Sequence, residues 1–410
     1  ETPVVETPVV EEPVVEVPTT PVVQAIQLTS STDDYEGTAG NDAYAGNNSA
    51  SGAVGTLSGT DAIADASATD ADSLAIDLHA AWTGFSTGSV SGVETIEITN
   101  ASSGALNFST AGITGATTYD IDASAANVTL SALTGMVDID YTGAGKTVTF
   151  TAGYTASSIV ATGSQTDTQK LTVENAGTAD TSATGDANNA KVVTVDIDYV
   201  EAFDIVSNGE ANTLDLSGSA NASSFTISGA ATTEIQNVAA ATSFDASAAT
   251  GNVIATLTSA AADKLATIKT GEGDDSVTVA GNDITTRATI SGDAGDDTLT
   301  IISGTDTIAP TMSGFETITL SDPTATGGFM LSMSAVTDVT DIKVSAGAMN
   351  GNATFINMPS SDITLTTTGA VTGNTISADT AGAVTVDVNA AAAATASAAT
   401  TSALTFDNAS

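Results

Sequence analysis

Short β-strand patterns recur along this chain at a nearly constant interval, and that interval limits the possible folds more than any other feature. In the second half, the centres of the apolar strands fall at Val277, Leu299, Leu320, Val344, Leu365 and Val386. This near-constant period of roughly 20–25 residues is typical of a solenoid, in which each coil covers the apolar face of the next. A β-sandwich would instead show turns every ~8–12 residues without the longer period.

The strand patterns themselves are runs of alternating apolar and polar residues, such as Thr95-Ile96-Glu97-Ile98. They are rich in β-branched residues and are separated by Gly, Asn, Asp and Ser, which predicts strands joined by turns. The phrase VSGVETI at 90–96 reappears as MSGFETI at 312–318, which indicates equivalent positions in successive repeats. The sequence therefore predicts an all-β fold, a parallel β-solenoid resembling a β-roll, with about 20–25 residues per coil.

Composition divides the chain into three regions. Residues 1–27 carry prolines at 3, 8, 13, 18 and 21, in an approximate Thr-Pro-Val-Val-Glu repeat. Proline at this density favours extended backbone and excludes a helix, so we predict an extended arm or linker. We predict a β-rich repeat region over 28–268 and a β-solenoid region with Gly/Asp turns over 269–410. The sequence is compatible with one continuous solenoid over these two regions and also with two separate β-domains.

The charge is extreme. Seven Lys and Arg stand against 49 Asp and Glu, which gives a net charge of −42. Such a chain repels phosphate backbones and anionic lipids, so nucleic-acid binding and docking on a lipid surface are not expected. Bound divalent cations or a salty environment would relieve the repulsion. The chain has no cysteine, so disulfides cannot reinforce the fold and metal ions between turns are an alternative reinforcement.

A Gly/Asp turn occurs three times, and each copy ends in an Asp shortly before an apolar strand residue. The candidate metal ligands and turn residues are Gly37, Gly40, Asn41 and Asp42 in the first turn, Gly271, Gly273, Asp274 and Asp275 in the second, and Gly292, Asp293, Gly295, Asp296 and Asp297 in the third. Glycine permits backbone that aims carbonyls inward, and Asp supplies the hard oxygens that Ca²⁺ prefers.

The second and third turns lie one coil apart, because the separation between Asp275 and Asp297 equals the period of the strands. Ca²⁺ takes six to eight oxygens, more than one short turn offers, so we expect stacked turns to share an ion. Two alternatives remain. The turns can be ordinary strand connections without metal, since Gly-Asp suits tight turns anyway. A further acidic stretch, with Asp61, Asp65, Asp70, Asp72 and Asp77, is either another site or a solvated loop.

These turns resemble a degenerate form of the RTX nonapeptide Gly-Gly-x-Gly-x-Asp-x-U-x, in which U is apolar and which winds into a calcium-filled parallel β-roll. Thr38, Thr270 and Asp293 replace glycines of the pattern, and tandem nonapeptides are missing. Across residues 30–390 the phrases are similar to those of RTX-related surface-layer proteins of Gram-negative bacteria. The resemblance implies calcium binding, type I secretion, an extracellular location at the cell surface, and calcium-dependent lattice assembly.

Catalysis has little support in the sequence. His79 is the only histidine, and Trp82 beside it suggests local packing. We therefore expect no enzyme but a structural subunit of a calcium-dependent cell-surface array, which assembles with itself through lateral contacts. A cell-surface polysaccharide is a further candidate partner. The alternative is an extracellular adhesin or a fibre-forming matrix protein. No apolar run approaches the length of a membrane span, so no membrane insertion is expected, and no signal-like segment follows Glu1.

Overall fold

A computed structural model describes most of the chain between Gln24 and Asp407. The described residues are 24–49, 55–67, 70–122, 124–143, 147–154, 159, 166–177, 191–238, 240–258, 264–302, 307–321, 329–345, 353–358, 363–368, 375–380, 384–389 and 403–407. Residues 1–23 of the predicted arm lie outside them.

The described residues form short strands with one 3-10 turn, Gly281–Asp283. The first twelve strands are β1 Gln24–Gln27, β2 Asp34–Glu36, β3 Asp42–Asn47, β4 Ala62–Ala64, β5 Ser73–Leu78, β6 Ser89–Ser91, β7 Thr95–Asn100, β8 Leu106–Ser109, β9 Ile113–Thr114, β10 Thr118–Asp122, β11 Val128–Leu133 and β12 Asp138–Thr142. The next twelve are β13 Val148–Tyr154, β14 Thr168–Glu174, β15 Val193–Ile197, β16 Ala202–Asn208, β17 Ala211–Asp215, β18 Ser224–Gly229, β19 Thr232–Val238, β20 Ser243–Ala249, β21 Val253–Leu257, β22 Leu265–Lys269, β23 Ser276–Ala280 and β24 Ile284–Ser291. The remainder are β25 Thr298–Ile302, β26 Thr307–Ile308, β27 Thr311–Ser313, β28 Thr317–Ser321, β29 Phe329–Ser332, β30 Asp341–Ser345, β31 Ala353–Met358, β32 Ile363–Thr368, β33 Thr375–Thr380, β34 Val384–Asn389 and β35 Ala403–Asp407.

Two long parallel sheets dominate the molecule, each with thirteen strands. Sheet A runs β1-β3-β5-β7-β10-β12-β14-β16-β18-β20-β22-β24-β27, and sheet B runs β8-β11-β13-β15-β17-β19-β21-β23-β25-β28-β30-β32-β34. Sheet C, β2-β4-β6-β9, and sheet D, β26-β29-β31-β33-β35, are shorter and lie toward opposite ends of the chain. Because the chain visits the sheets in turn and adds one parallel strand to each, the fold is the predicted β-solenoid.

Most of the strands whose side chains the structure describes bury alternate residues, so the core is a set of rows that run along the solenoid. In sheet A, Tyr44 pairs with Leu74, and Leu74 pairs with Ile96. All three are at most 1% exposed. Further along the sheet, the rings of Phe203 and Phe225 stack with centroids 6.1 Å apart. At these coils, stacked identical or similar side chains fill the space between the sheets.

The predicted period is confirmed, with a shift in the register of one row. Val277 pairs with Leu299 as the spacing predicts, but Leu299 pairs with Ile318 and not with Leu320. Leu320 pairs instead with Val344. Leu365 in turn pairs with Ile342 and not with Val344, so the predicted centres Leu320 and Val344 lie in a neighbouring row two residues away. A two-residue shift keeps apolar side chains on the buried face, so the sequence pattern alone could not distinguish the two registers.

Some coils are longer than the sequence period predicts. The coil that leads from Asp42 at the start of β3 to Asp72 just before β5 advances by 30 residues. The coil from Asp138 on β12 to Lys170 on β14 advances by 32 residues. The extra residues lie between strands, so they leave the pairing of the sheets intact.

Both long sheets cross the boundary predicted at residue 268. In sheet A, β22 pairs with β20 and β24, and in sheet B, β21 pairs with β23. Residues 24–27, the last four of the predicted arm, form β1 and pair with β3. The described part of the chain contains no helix with the length and apolar content needed to cross a bilayer.

Candidate metal centre at the corners of the solenoid

Acidic side chains stand at the corners of the solenoid, just before or at the start of a strand. The Asp42 N–H donates to Asp72 Oδ1 over 2.7 Å, and the Asp72 N–H donates to Glu94 Oε2 over 2.9 Å. Asp72 and Glu94 thus each accept a backbone hydrogen bond from the coil before them. At these corners the strand ladder ends, and a buried N–H without a partner would be costly. We call Asp42, Asp72 and Glu94 the first acid column.

The same arrangement recurs in the second half of the chain. Val253 N–H donates to Asp275 Oδ1 over 2.6 Å, and Asp275 N–H donates to Asp297 Oδ1 over 2.8 Å. Asp297 N–H then donates to Glu316 Oε2, also over 2.8 Å. Asp275, Asp297 and Glu316 form the second acid column. Glu94 and Glu316 are the glutamates of the repeated VSGVETI and MSGFETI phrases, so that repeat marks the last acid of each column.

The structure places the second and third predicted turns one above the other. Asp275 and Asp297 are 2% and 1% exposed. A Cβ on Gly295 would lie 2.0 Å from the carbonyl oxygen of Gly273, so glycine is required where the turns stack. Gly271 N–H closes its own turn by donating to Asp275 Oδ2 over 3.1 Å. Both Asp275 oxygens are therefore held by N–H donors of the protein.

The other acids of these two turns point to solvent. Asp274, Asp293 and Asp296 are exposed. Asp296 N–H donates to Asp274 Oδ1 over 3.0 Å. These two residues directly precede Asp297 and Asp275, so a similar hydrogen bond between coils lies next to the second acid column. Gly292 lies against the inner acid, because a Cβ there would be 2.5 Å from Asp297 Oδ2. That oxygen is buried and has no hydrogen-bond partner.

The first predicted turn belongs to a larger cluster. Thr38 N–H donates to Asp42 Oδ2 over 2.6 Å and closes the turn, while Gly40 is buried inside it. Asn41 is exposed and its Oδ1 accepts the Ala71 N–H over 3.2 Å. One carboxylate oxygen each from Asp42, Asp65 and Asp72 lies within 4.8 Å of the others.

A second trio overlaps the first. Oxygens of Asp70, Asp72 and Glu94 also lie within 4.8 Å of one another. Among the described residues, these two groups are the sets of three acids close enough to hold one ion, and Asp72 belongs to both. We call the residues Asp42, Asp65, Asp70, Asp72 and Glu94, together with Tyr44, the N-terminal acid cluster.

Five side-chain oxygens of this cluster are buried without a hydrogen-bond partner. They are Tyr44 Oη, Asp65 Oδ2, both carboxylate oxygens of Asp70, and Asp72 Oδ2. Tyr44 and Asp72 are 1% exposed and Asp65 is 9% exposed. Buried oxygens without donors are rare in folded proteins, and an ion or ordered water is a usual explanation. The donor set is entirely hard oxygen, which fits Ca²⁺ or another hard divalent cation.

Gly37 leaves space for two of these five oxygens without partners, those of Asp65 and Tyr44. A Cβ at this position would lie 2.0 Å from Asp65 Oδ2 and 3.0 Å from Tyr44 Oη. The glycine predicted as a turn residue therefore has a second role, because its lack of a side chain lets a carboxylate and a phenol approach the turn from other parts of the chain.

The cluster is electrostatically strained. Burial, with smaller contributions from the carboxylates of Asp65 and Asp70, raises the pKa of Asp72 to about 6. Burial and the neighbouring Asp42 raise the pKa of the Tyr44 hydroxyl to about 12. In the second column, burial, with contributions from the carboxylates of Asp275 and Glu316, raises the pKa of Asp297 to about 7. A bound cation would reverse this effect by favouring the ionised carboxylates.

Sequence reasoning found part of this cluster. Asp42 belongs to a predicted turn, and Asp65, Asp70 and Asp72 belong to the acidic stretch for which the sequence predicts either a site or a solvated loop. Tyr44 and Glu94 were missed. The recurring Glu of the VSGVETI phrase was an available signal for Glu94, whereas nothing in the sequence distinguishes Tyr44 from a core residue of β3.

The remaining residues in and near the predicted acidic stretch lie outside the N-terminal acid cluster. Asp61 is fully buried and accepts the Asp33 N–H on Oδ1 over 3.1 Å and the Ser58 N–H on Oδ2 over 2.7 Å, so it repeats the corner arrangement. Asp77 is exposed on β5. His79 is also exposed, and Trp82 packs edge-on against Phe85 with ring centroids 5.2 Å apart.

The fold and the corner carboxylates define an acidic parallel β-solenoid with a candidate cation site near its N-terminal end. No protein-family model matches this sequence, and no curated protein matches it significantly.

Proposed function

We propose that this protein is a structural subunit of a calcium-dependent, cell-surface array outside the cell. The observation that supports this most directly is the N-terminal acid cluster, in which five buried oxygens lack hydrogen-bond partners and two trios of acids that share Asp72 are each close enough to hold an ion. A scaffold that buries unpaired carboxylates between coils depends on a cation for its full rigidity.

Calcium is the preferred ion because of the number and type of oxygens. Asp42, Asp65 and Asp72 supply three carboxylates within reach of one ion, and Tyr44 Oη lies beside Asp65. Asp70 and Glu94 extend the set around Asp72. Ca²⁺ accepts six to eight oxygens in flexible geometry, whereas Mg²⁺ demands a strict octahedron and retains its waters.

The stacked second and third turns are a second, weaker candidate site. Protein N–H groups already hold both oxygens of Asp275, so this carboxylate has less capacity left for an ion. Asp297 keeps one buried oxygen without a partner, and that oxygen is the atom of this column with the clearest need for a cation.

A structural role agrees with the shape and charge of the molecule. Repeated parallel strands give a long body with uniform sides, which suits repeated lateral contacts with other copies. A net charge of −42 disfavours nucleic acid and anionic lipid as partners and makes assembly depend on cations. A cell-surface polysaccharide remains a candidate anchor, and we assign no catalytic residue.

The alternative is a filament or adhesin, and one observation favours it. Within the described residues β1 pairs only with β3, so the first strand of sheet A leaves one edge open. Open parallel edges can accept a strand from another chain, and end-to-end addition of that kind gives fibres. Array and filament differ in geometry under the electron microscope.

The test combines calcium titration with negative-stain electron microscopy. We expect calorimetry to show binding that is lost in the double variant Asp65→Asn/Asp70→Asn, and ordered sheets that form with millimolar Ca²⁺ and disperse with chelator. The control is Asp140→Asn/Asp204→Asn, which removes the same charge from the outer face of sheet A. Wild-type protein that folds and assembles identically with and without chelator would contradict the proposal. Calcium-dependent fibres instead of sheets would select the alternative.

A further inference from the structure

The outward-facing charges of the solenoid are unevenly distributed between its two long sheets. On sheet A, Glu97, Asp120 and Asp140 pair in register on adjacent strands and form an unbroken column of carboxylates. Lys170 and Lys269 offset two other acids of this sheet through ion pairs of 2.7 Å with Asp138 and Asp245. The further outward acids of the sheet are Asp77, Asp122, Asp138, Glu174, Asp204 and Asp245. Sheet A therefore presents a strongly acidic surface over β5 to β16, whereas further along, from β18 to β27, it carries only Asp245, Lys269 and Arg287.

Sheet B presents the opposite character over β21, β23, β25, β28, β30 and β32. We call this surface the neutral face. One Asp and one Lys cancel there, so the formal charge of this face is zero in a chain of net charge −42. Ile254 is 38% exposed and is one of two large apolar side chains exposed in the described residues. The outward positions of the face are Ile254, Thr256, Ser276, Thr278, Ala280, Thr298, Thr300, Ile302, Thr317, Thr319, Ser321, Asp341, Lys343, Thr364 and Thr366.

The rows of the neutral face are regular. Thr298 pairs with Thr317, and Thr300 pairs with Thr319, in the same register as the buried residues between them. Ser276 and Thr278 continue the two rows on β23. Parallel strands lie about 4.8 Å apart, so hydroxyl and methyl groups repeat at that interval along the face.

We propose that the neutral face is the surface through which one copy of this protein packs laterally against a second copy. The inference rests on the self-assembly proposed above and names the surface that would carry it. Two copies of so acidic a chain repel each other wherever their carboxylates meet, because bringing like charges together at an interface is strongly unfavourable. On the neutral face such a contact brings almost no charge together, and the exposed Asp274 and Asp296 lie at the edge of this face.

The chemistry of the face favours a second copy over an unrelated partner. A hydroxyl both donates and accepts hydrogen bonds, so a row of threonines is complementary to an identical row. Both copies have the same strand spacing, so the rows remain matched along the contact. A two-fold arrangement places the same patch on both sides, and the single opposite charges at Asp341 and Lys343 can then pair across the axis.

The area of the neutral face indicates that a contact between two copies is weak and becomes stable only when it is repeated in an array. Six strands about 4.8 Å apart, with about five residues of ~3.3 Å each, cover roughly 450 Å² per copy. Stable dimers bury about 800 Å² per partner, so isolated pairs should dissociate in dilute solution. Repetition within a lattice multiplies such contacts and makes them effective.

The test uses the absence of cysteine from the chain. Single variants Thr300→Cys and Thr319→Cys place one thiol on the neutral face, and Thr226→Cys places one on the exposed surface of sheet A as a matched control. A short bismaleimide is added with calcium, under assembling conditions and at high protein concentration. We expect cross-linked dimers to be at least tenfold more abundant for the neutral-face variants than for Thr226→Cys.

A second measurement uses charge. The charged pair Thr300→Glu/Thr319→Glu should disperse the assemblies, because it places four carboxylates in each contact between two copies. The control Ser224→Glu/Thr226→Glu adds the same charge to sheet A and should leave the assemblies unchanged. Melting temperatures of all variants show whether each of them folds.

The cross-linking and charge experiments together test whether the neutral face is the contact between copies. Cross-linking at 300 and 319, with dispersal by the charged pair, supports the neutral face. Assemblies that persist in the charged pair, with cross-linking absent or confined to Thr226→Cys, overturn this surface while leaving the calcium-dependent array intact. Wild-type protein that never associates contradicts the array itself, and the absence of cross-links at high concentration then removes the neutral face as well. If the variant Thr300→Glu/Thr319→Glu loses only the binding of a cell-surface polysaccharide, and no cross-links form between copies, the neutral face binds polysaccharide. That result would contradict packing against a second copy.

Discussion

Gly37 shows how a missing side chain creates a candidate binding site. Its position within a turn would tolerate many residues, because its backbone is not among those with positive φ. The space beside it is nevertheless taken by Asp65 Oδ2, which a Cβ would approach to 2.0 Å. The atom in conflict is the far end of a flexible side chain, so Asp65 can move away without disturbing the sheets.

We therefore predict that Gly37→Ala separates ion binding from folding. Displacement of Asp65 should weaken calcium binding by roughly tenfold or more, the scale seen when supporting groups of metal sites are altered. The free energy of unfolding of the metal-free protein should change by less than about 1 kcal/mol. Calorimetric titration and denaturant unfolding measure the two quantities. Gly135→Ala is the control, since a Cβ there meets nothing within 4 Å. Unchanged affinity in Gly37→Ala would exclude Asp65 from the site.

At the scale of elements, a corner with a fixed backbone conformation occurs three times among the residues that the structure describes. Gly92, Tyr199 and Gly314 have φ of 71°, 71° and 70°. The left-handed conformation turns the chain between strands and aims a glutamate back along the solenoid. Each of the three is followed by a fully buried apolar residue and then by a glutamate whose side chain accepts an N–H from an earlier coil; these glutamates are Glu94, Glu201 and Glu316.

Tyr199 is the exception among these corners, because a tyrosine in the left-handed region is strained by about 1–2 kcal/mol. Its side chain is 42% exposed and so gains little from packing. We predict that Tyr199→Gly raises the free energy of unfolding by about 0.5–1 kcal/mol, after allowing for the greater entropy of unfolded glycine.

Replacing glycine by alanine at Gly314, the equivalent position of another such corner, tests a place where neighbouring backbone leaves no room for a side chain. A Cβ on Gly314 would lie 2.5 Å from the Asp293 nitrogen. We therefore expect Gly314→Ala to lower the free energy of unfolding by about 2–3 kcal/mol. Chemical denaturation of both variants gives the comparison. If Tyr199→Gly and Gly314→Ala changed the free energy of unfolding by the same amount and in the same direction, the left-handed backbone conformation would not determine the stability of these corners.

At the scale of the whole molecule, the distribution of carboxylates makes stability depend on pH. Asp120 lies in the sheet A column between Glu97 and Asp140. Burial, followed by the charges of Asp140, Asp122 and Glu97, raises its pKa from 3.8 to about 6. The folded state thus binds the proton more tightly than the unfolded chain. Asp120 contributes stability that is fully present below about pH 4 and is lost as the pH rises through about 6.

We predict that Asp120→Asn stabilises the metal-free protein at pH 7 by about 1 kcal/mol, a value reduced for solvent screening, and has little effect near pH 4. Thermal unfolding at both pH values measures the effect. Destabilisation by Asp120→Asn at pH 7 would contradict the assignment.

Asp245 provides the contrast on the same sheet. Burial opposes its ionisation, but hydrogen bonds from Lys269 and Ser247 outweigh burial and lower the pKa of Asp245. Because the folded state favours the ionised form, its contribution is present above the unfolded pKa and is lost as the pH falls. Asp245→Asn should therefore lower stability at pH 7, by at most about 1 kcal/mol, and less at acid pH. The same thermal unfolding series measures it, and a stabilised variant at pH 7 would show that the ion pair with Lys269 contributes nothing.

The sequence by itself determined the type of structure, because the signals for it are local and repeated. Alternation with a period of two sets which side chains enter the core, and the near-constant interval between strand centres sets the coil. Glycine and aspartate in the predicted turns mark the corners, and the stacking of Asp275 over Asp297 follows from their separation by one coil.

Only the tertiary structure decided which acids come together. Asp65 and Asp72 meet Asp42 because a coil of 30 residues returns the chain to the same corner, and no local pattern fixes the path of so long a connection. Tyr44 looks like any buried strand residue until its hydroxyl is seen beside Asp65. The register of Ile318 against Leu299 was also undetermined, since a shift of two residues preserves the apolar pattern and only packing against both neighbouring coils selects one pairing.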